Sequence, residues 1–111
     1  MDIFKEIIAI RNSGTPCVLV TVIKTIGASP GKKSFKMIVL PDGKTIGTVG
    51  GGDVERMASQ EALKVLKSEI PILKEYDLDK LKMECGGRIS MFYDFIPAER
   101  QLLIFGGGHV G

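Results

Sequence analysis

The sequence predicts an α/β (α+β) fold, a mixed β-sheet with helices packed on it. Three observations lead there. Two segments carry apolar residues at helical spacing, several short segments are β-branched or alternate in polarity, and glycines cluster at the junctions between them. The 111 residues give room for one domain with a modest core.

Asp2 to Asn12 reads as the first helix, with Ile3, Phe4, Ile7 and Ile8 on one face, Asp2 as its cap and Gly14 as its stop. Cys17 to Ile23 is nearly continuous in apolar, β-branched character, as in a central strand covered on both faces. Phe35 to Leu40 and Thr45 to Val49 read as a hairpin turned by Pro41-Asp42-Gly43-Lys44. A long helix follows the glycines. Val54, Met57, Ala58, Ala62, Val65 and Leu66 form its buried stripe, with Glu55, Arg56, Gln60, Glu61 and Lys64 in or near solvent. Ile70 to Tyr76 reads as an edge strand, given Pro71, Lys74 and Glu75. Arg88 to Ile96 alternates, with Ile89, Met91, Tyr93 and Phe95 on one side.

The last strand starts at Gln101, and the residues after it spell G-x-G-x-x-G with Gly106, Gly108 and Gly111. That is the strand-and-turn half of a dinucleotide-binding fingerprint, without the helix that would hold a pyrophosphate. The expected organisation is therefore a domain over 1–97, with 101–111 as the first strand and glycine turn of a truncated Rossmann-like domain. Only the missing part would take NAD or another nucleotide. An unpartnered strand seeks another edge, so 101–105 is expected to pair with a second copy of the chain or with this domain's own edge, making a homo-oligomer.

Composition narrows the class. A net charge of +2 with no basic stripe gives no footprint for nucleic acid. No apolar run reaches transmembrane length and the N-terminus lacks a signal-peptide core, which sets the cytoplasm as the expected compartment, without membrane attachment. Cys17 and Cys85 form neither a disulfide framework nor a C-x-x-C zinc pair. Cys17, inside an apolar strand, is read as a small buried hydrophobe.

Three loops carry the candidate chemistry. Thr25 to Lys33 holds glycines, the Ser29 hydroxyl and the Lys32 charge, suited to an anion as well as to a plain surface loop. Gly50-Gly51-Gly52 precedes the long helix, where unshielded backbone N–H groups and the helix dipole favour negative charge; a packing turn that admits no Cβ is the structural alternative. Cys85-Gly86-Gly87 sets a thiol against two glycines, accessible to a bulky partner and suited to sulfur or metal chemistry.

The order of these motifs resembles the xanthine dehydrogenase accessory protein (XdhC/CoxI) family: G-A-S-P-G-K-K-S-F-K-M-I-V, then D-G-K-T-I-G-T-V-G-G-G-D-V-E, then C-G-G, then L-L-I-F-G-G-G-H-V-G. The resemblance implies an N-terminal α/β domain followed by a Rossmann-like domain. It implies a chaperone for molybdenum hydroxylases such as xanthine dehydrogenase, with no catalytic residues or resident metal of its own. Such a protein binds the molybdenum cofactor as cargo, promotes oxo-to-sulfido exchange with a cysteine desulfurase, and delivers the product to the apo-enzyme. Carried over by position, Ser29, Lys32, Gly50, Gly51, Gly52, Glu55, Cys85, Gly86 and Gly87 would contact the cofactor. Lys33-Ser34-Phe35-Lys36-Met37 departs from the Gly-Ala-Lys-Met run common in that loop. The residues alone leave two other readings open, the N-terminal part of a nucleotide-dependent oxidoreductase and a protein-interaction module with structural glycines.

Overall fold

A computed structural model of the chain describes residues 2–27, 34–83, 86–99, 102–104 and 108–110, the last two stretches as backbone. In chain order the elements are α1 (Ile3–Asn12), β1 (Cys17–Ile26), β2 (Lys36–Val39), β3 (Thr45–Gly47), α2 (Gly52–Ser68), β4 (Ile72–Asp77), β5 (Arg88–Ile96), β6 (Leu102–Ile104) and β7 (Gly108–Val110). The first five strands to be met from edge to edge are β3-β2-β1-β5-β4, one sheet, while β6 and β7 form a two-stranded sheet of their own. The expected class stands as α+β, with the five-stranded sheet antiparallel at every pair rather than mixed. The short connections β1–β2, β2–β3 and β4–β5 allow only antiparallel neighbours, and α2 carries the chain from one sheet edge to the other.

Local chemistry explains the elements. The Asp2 carboxylate accepts from the N–H groups of Phe4 at 3.0 Å and Lys5 at 3.3 Å, capping α1. The β2–β3 hairpin closes through Leu40 N–H on Lys44 O at 2.9 Å, and the Asp42 carboxylate accepts from Lys44 N–H at 3.0 Å. β1 runs three residues beyond the expected Ile23, because an irregularity between Val22 and Lys24 lets Lys24, Thr25 and Ile26 keep pairing with Ser90, Ile89 and Arg88. The first loop therefore starts at Gly27, not Thr25. β3 stops at Gly47, short of Val49, where φ reaches +90°.

The register divides the sheet into two faces. Val18, Val20 and Val22 of β1, Met37 and Val39 of β2, and Ile89, Met91 and Tyr93 of β5 face α2 and close the main core with Val54, Ala58, Ala62 and Val65. The other face packs Cys17, Ile38, Leu19, Ile46 and Ile96 against Ile3, Ile7 and Ile10 of α1. Cys17 is buried as expected, and burial pushes its thiol pKa up, partly offset by Arg11.

Two polar features of the α2 side escape the periodicity. Glu61, expected in or near solvent, is only 13% exposed because Lys74 reaches from edge strand β4 to bond it at 2.6 Å. Tyr76 and Tyr93 share a buried hydroxyl–hydroxyl hydrogen bond of 2.7 Å. Burial raises both phenol pKa values, and the shared bond raises that of Tyr93 further.

The C-terminal strand departs from expectation. β6 pairs with β7, with Leu103 opposite His109, and not with an edge of the five-stranded sheet. A nearby segment of the same chain closes at lower entropic cost than a distant edge. Gly108 thus opens a strand, while Gln101, Gly106 and Gly111 lie outside the described residues.

Candidate functional site

The connectivity gathers the glycine loops at one end of the five-stranded sheet. β1, β3 and β4 run toward that end and β2 and β5 start from it, so the β1–β2, β3–α2 and β4–β5 connections all emerge there. Backbone contacts tie their roots together. Ser34 N–H bonds Val22 O at 2.8 Å, Thr48 N–H bonds Lys36 O at 3.1 Å, and Leu78 N–H bonds Gly87 O at 2.8 Å. A Cβ on Gly27 would stand 3.4 Å from the Cα of Gly87, so the first and third loops touch where they leave the sheet.

Gly50, Gly51 and Gly52 join β3 to α2 with φ values of +135°, +85° and +51°, as the glycine run predicted. At Gly51 the pair φ +85°, ψ 173° belongs to glycine alone, so any side chain here strains the turn. A Cβ on Gly51 or Gly52 would nevertheless meet nothing within 4 Å. The reading of this turn as a place where no Cβ fits is therefore ruled out for these two residues. The space on the Cβ side of both residues is open.

Glu55 organises the junction. Its carboxylate accepts from Gly51 N–H at 2.7 Å and from the Thr48 hydroxyl, which in turn accepts from Gly50 N–H at 3.1 Å. Glutamate one turn into the helix thus reaches back over its own N-terminus, where the dipole favours negative charge. Glu55 is bonded to the loop, not directed into open space. Among the described residues no acceptor takes the N–H groups of Gly52, Asp53 and Val54, the next donors of the helix end.

Beside these donors lies a groove of about 370 Å³, lined by Asp53, Arg56, Met57, Gln60, Leu81, Lys82 and Met83. It joins the start of α2 to the turn between β4 and β5, the second loop to the third. Arg56 is held by Asp53 at 2.8 Å, and both are largely exposed. Such a surface pair opens at little cost. Gly86 sits against the Asp79 carboxylate so closely that a Cβ there would collide with it.

Of the sequence-derived site residues, Gly50, Gly51, Gly52, Glu55, Gly86 and Gly87 belong to this one end, and Ser29, Lys32 and Cys85 lie outside the described residues. Thr48, Asp79, Arg56 and Lys82 were missed. Thr48 carried a signal, since a threonine two residues before a glycine suits a side-chain turn. Arg56 reads as a solvent-facing charge of the helix and Lys82 has no signal in the sequence, and only the fold brings them to one groove.

Comparison with known proteins identifies the family. The chain matches the XdhC and CoxI family over residues 10–77, more than half of its length. It is 31% identical over 115 residues to the uncharacterized protein YqeB of Escherichia coli, covering 99% of this chain and 21% of that protein. It is 32% identical over 95 residues to the molybdenum cofactor insertion chaperone PaoD of Escherichia coli, covering 82% of this chain and 30% of the relative. A crystal structure described as a xanthine dehydrogenase from Bacillus halodurans superposes with a TM-score of 0.70 at 28% identity, over 92% of this chain and 32% of that one. The chain thus spans between a fifth and a third of the proteins it matches. With more than half of its sequence matched, the chain belongs to the XdhC and CoxI family.

Proposed function

We propose that the glycine-loop end of the sheet receives the molybdenum cofactor as cargo during maturation of a xanthine dehydrogenase-type molybdenum hydroxylase. The observation that carries this reading is the meeting of three loops at one end, beside open helix-start donors and a groove of ligand size. The family and the similarity to an insertion chaperone support a role in handling this cofactor.

The chemistry of the donor set fits the ligand. Molybdopterin carries a phosphate, and the N–H groups of Gly52, Asp53 and Val54 stand at the positive end of α2. Arg56 and Lys82 add charge at the groove, with Arg56 suited to bidentate contact once released from Asp53. Met57, Leu81 and Met83 supply soft, apolar surface for a flat ring. Glu55 and Thr48 hold the junction and leave the following donors of the helix start without an acceptor among the described residues. Ser29 and Lys32 of the β1–β2 loop and Cys85 of the β4–β5 loop complete the proposed contact set. Cys85 is the residue assigned to sulfur handling with a cysteine desulfurase, and the apo-hydroxylase is the proposed recipient.

Equilibrium titration with molybdenum cofactor tests the reading. The wild-type chain should bind, and Arg56→Glu with Lys82→Glu should weaken binding by about tenfold or more, since each reversal replaces attraction by repulsion near a phosphate. No binding by the wild type, or equal binding by the double variant, would overturn it.

A further inference from the structure

The groove beside the helix start has two walls of different character. On α2, Asp53, Arg56, Met57 and Gln60 recur at helical spacing, so they form a single stripe down one face. Opposite them, the turn between β4 and β5 supplies Leu81, Lys82 and Met83. Backbone bonds fix that turn: Leu81 N–H to Asp77 O at 3.2 Å, Lys82 N–H to Asp79 O at 3.1 Å, and Met83 N–H to Leu78 O at 3.0 Å. Lys82 takes φ +55°, in the left-handed region that a lysine seldom adopts. Leu81 is left 50% exposed on the groove.

The stripe is graded along the helix axis. Its charge lies at the start, with Asp53 paired to Arg56 beside the free helix-start donors. Met57 comes next, partly buried against the core, as is Met83 on the other wall. Gln60 stands last. Its carboxamide has no hydrogen-bond partner among the described residues, unlike the neighbouring Glu61, which is held by Lys74. From Asp53 to Gln60 the helix advances about 10 Å. The groove is thus charged at one end, apolar in the middle and closed by a neutral amide at the other.

We propose that Gln60 reads the pterin edge of the cargo and fixes the direction in which the cargo lies; this rests on the functional reading given above. In molybdopterin the phosphate arm stands on the pyran ring. The amide edge of the pyrimidine lies at the far end of three fused rings, a span comparable to that stretch of helix. With the phosphate at the helix start, the Gln60 amide oxygen accepts from the ring N–H and its amide nitrogen donates to the adjacent ring carbonyl. The flat rings pass between Met57 and the Leu81–Met83 wall. The dithiolene shares the pyran ring with the phosphate arm, so this direction leaves the metal-binding sulfurs at the loop end of the groove. The reverse direction would carry the phosphate away from the helix-start donors and Arg56 and set it beside a neutral amide. Gln60 therefore separates a pterin phosphate from other phosphates.

Titration of Gln60→Met, a change of similar length at an exposed position, tests the assignment, with circular dichroism to confirm folding. Molybdenum cofactor should bind this variant about fivefold to tenfold more weakly than wild type, because neutral hydrogen bonds in a partly wet groove are lost. Inorganic phosphate fills only the helix-start end, so its inhibition constant against the cofactor should be the same for both proteins. Arg56→Glu, by contrast, should weaken cofactor and phosphate together. Equal cofactor binding by Gln60→Met and wild type would overturn the role of Gln60 while leaving the functional reading in place. A parallel loss of phosphate binding in Gln60→Met, or phosphate that does not compete with the cofactor, would overturn it too. If the wild type binds no cofactor, the functional reading fails and this proposal with it.

Discussion

Replacing Glu55 with alanine removes one carboxylate from three groups at once: Gly51 N–H at 2.7 Å, the Thr48 hydroxyl, and the positive end of α2. A hydrogen bond to a charged group contributes about 1.5–3 kcal/mol when desolvated. The Gly51 bond is part-buried and the Thr48 bond exposed, so the first counts near the lower bound and the second for less. The helix dipole adds about 0.3–1 kcal/mol. Their sum is an expected loss of about 2 kcal/mol, or roughly 8 °C or more in Tm for a domain of this size. Glu55→Gln keeps an acceptor and gives up the charge, so it should lose about half as much. Urea denaturation followed by circular dichroism measures both. A loss under about 0.5 kcal/mol for Glu55→Ala, or equal losses for the two variants, would show that the carboxylate does not hold the junction.

Further outcomes follow from the same structure. Gly51→Ala should cost about 1–3 kcal/mol in urea denaturation although its Cβ meets open space, because the cost lies in φ +85° and not in a clash. Tyr93→Phe should cost about 1–3 kcal/mol by leaving the Tyr76 hydroxyl buried without its partner, whereas the double change Tyr76→Phe with Tyr93→Phe should come back close to wild type. Both phenols have raised pKa values in the fold, so the unfolded chain releases its protons first and stability should fall as pH rises through about 10. Urea midpoints from pH 8 to 11 check the sign, and the double phenylalanine variant should flatten the fall. A double-mutant cycle on Lys74 and Glu61 should give about 1 kcal/mol or less, since Lys74 stays half exposed.

The sequence carried the local structure well and the tertiary structure poorly, for physical reasons visible in particular residues. Alternation from Ile89 to Phe95 and the stripe from Val54 to Val65 are direct consequences of burial on one face, and both elements stand where they were expected. The Pro41–Lys44 turn and the glycine junction are set by backbone chemistry within a few residues. The pairing of β1 with β5 joins segments some seventy residues apart, and nothing local in either strand names its partner. The same distance hid Lys74 from Glu61 and the groove from Arg56 and Lys82. Glu55 was found as a member of the glycine block, but its bonds to Thr48 and Gly51 required the loop to be closed first.

The central claim is that the glycine-loop end takes the molybdenum cofactor, and residue-resolved NMR during titration with that cofactor tests it most directly. Amide shifts should concentrate at Gly51, Gly52, Asp53, Arg56, Lys82 and Gly87, with Thr15, Leu40 and Leu66 at the opposite end unmoved. Shifts centred instead on the opposite end, or no shifts at saturating cofactor, would contradict it.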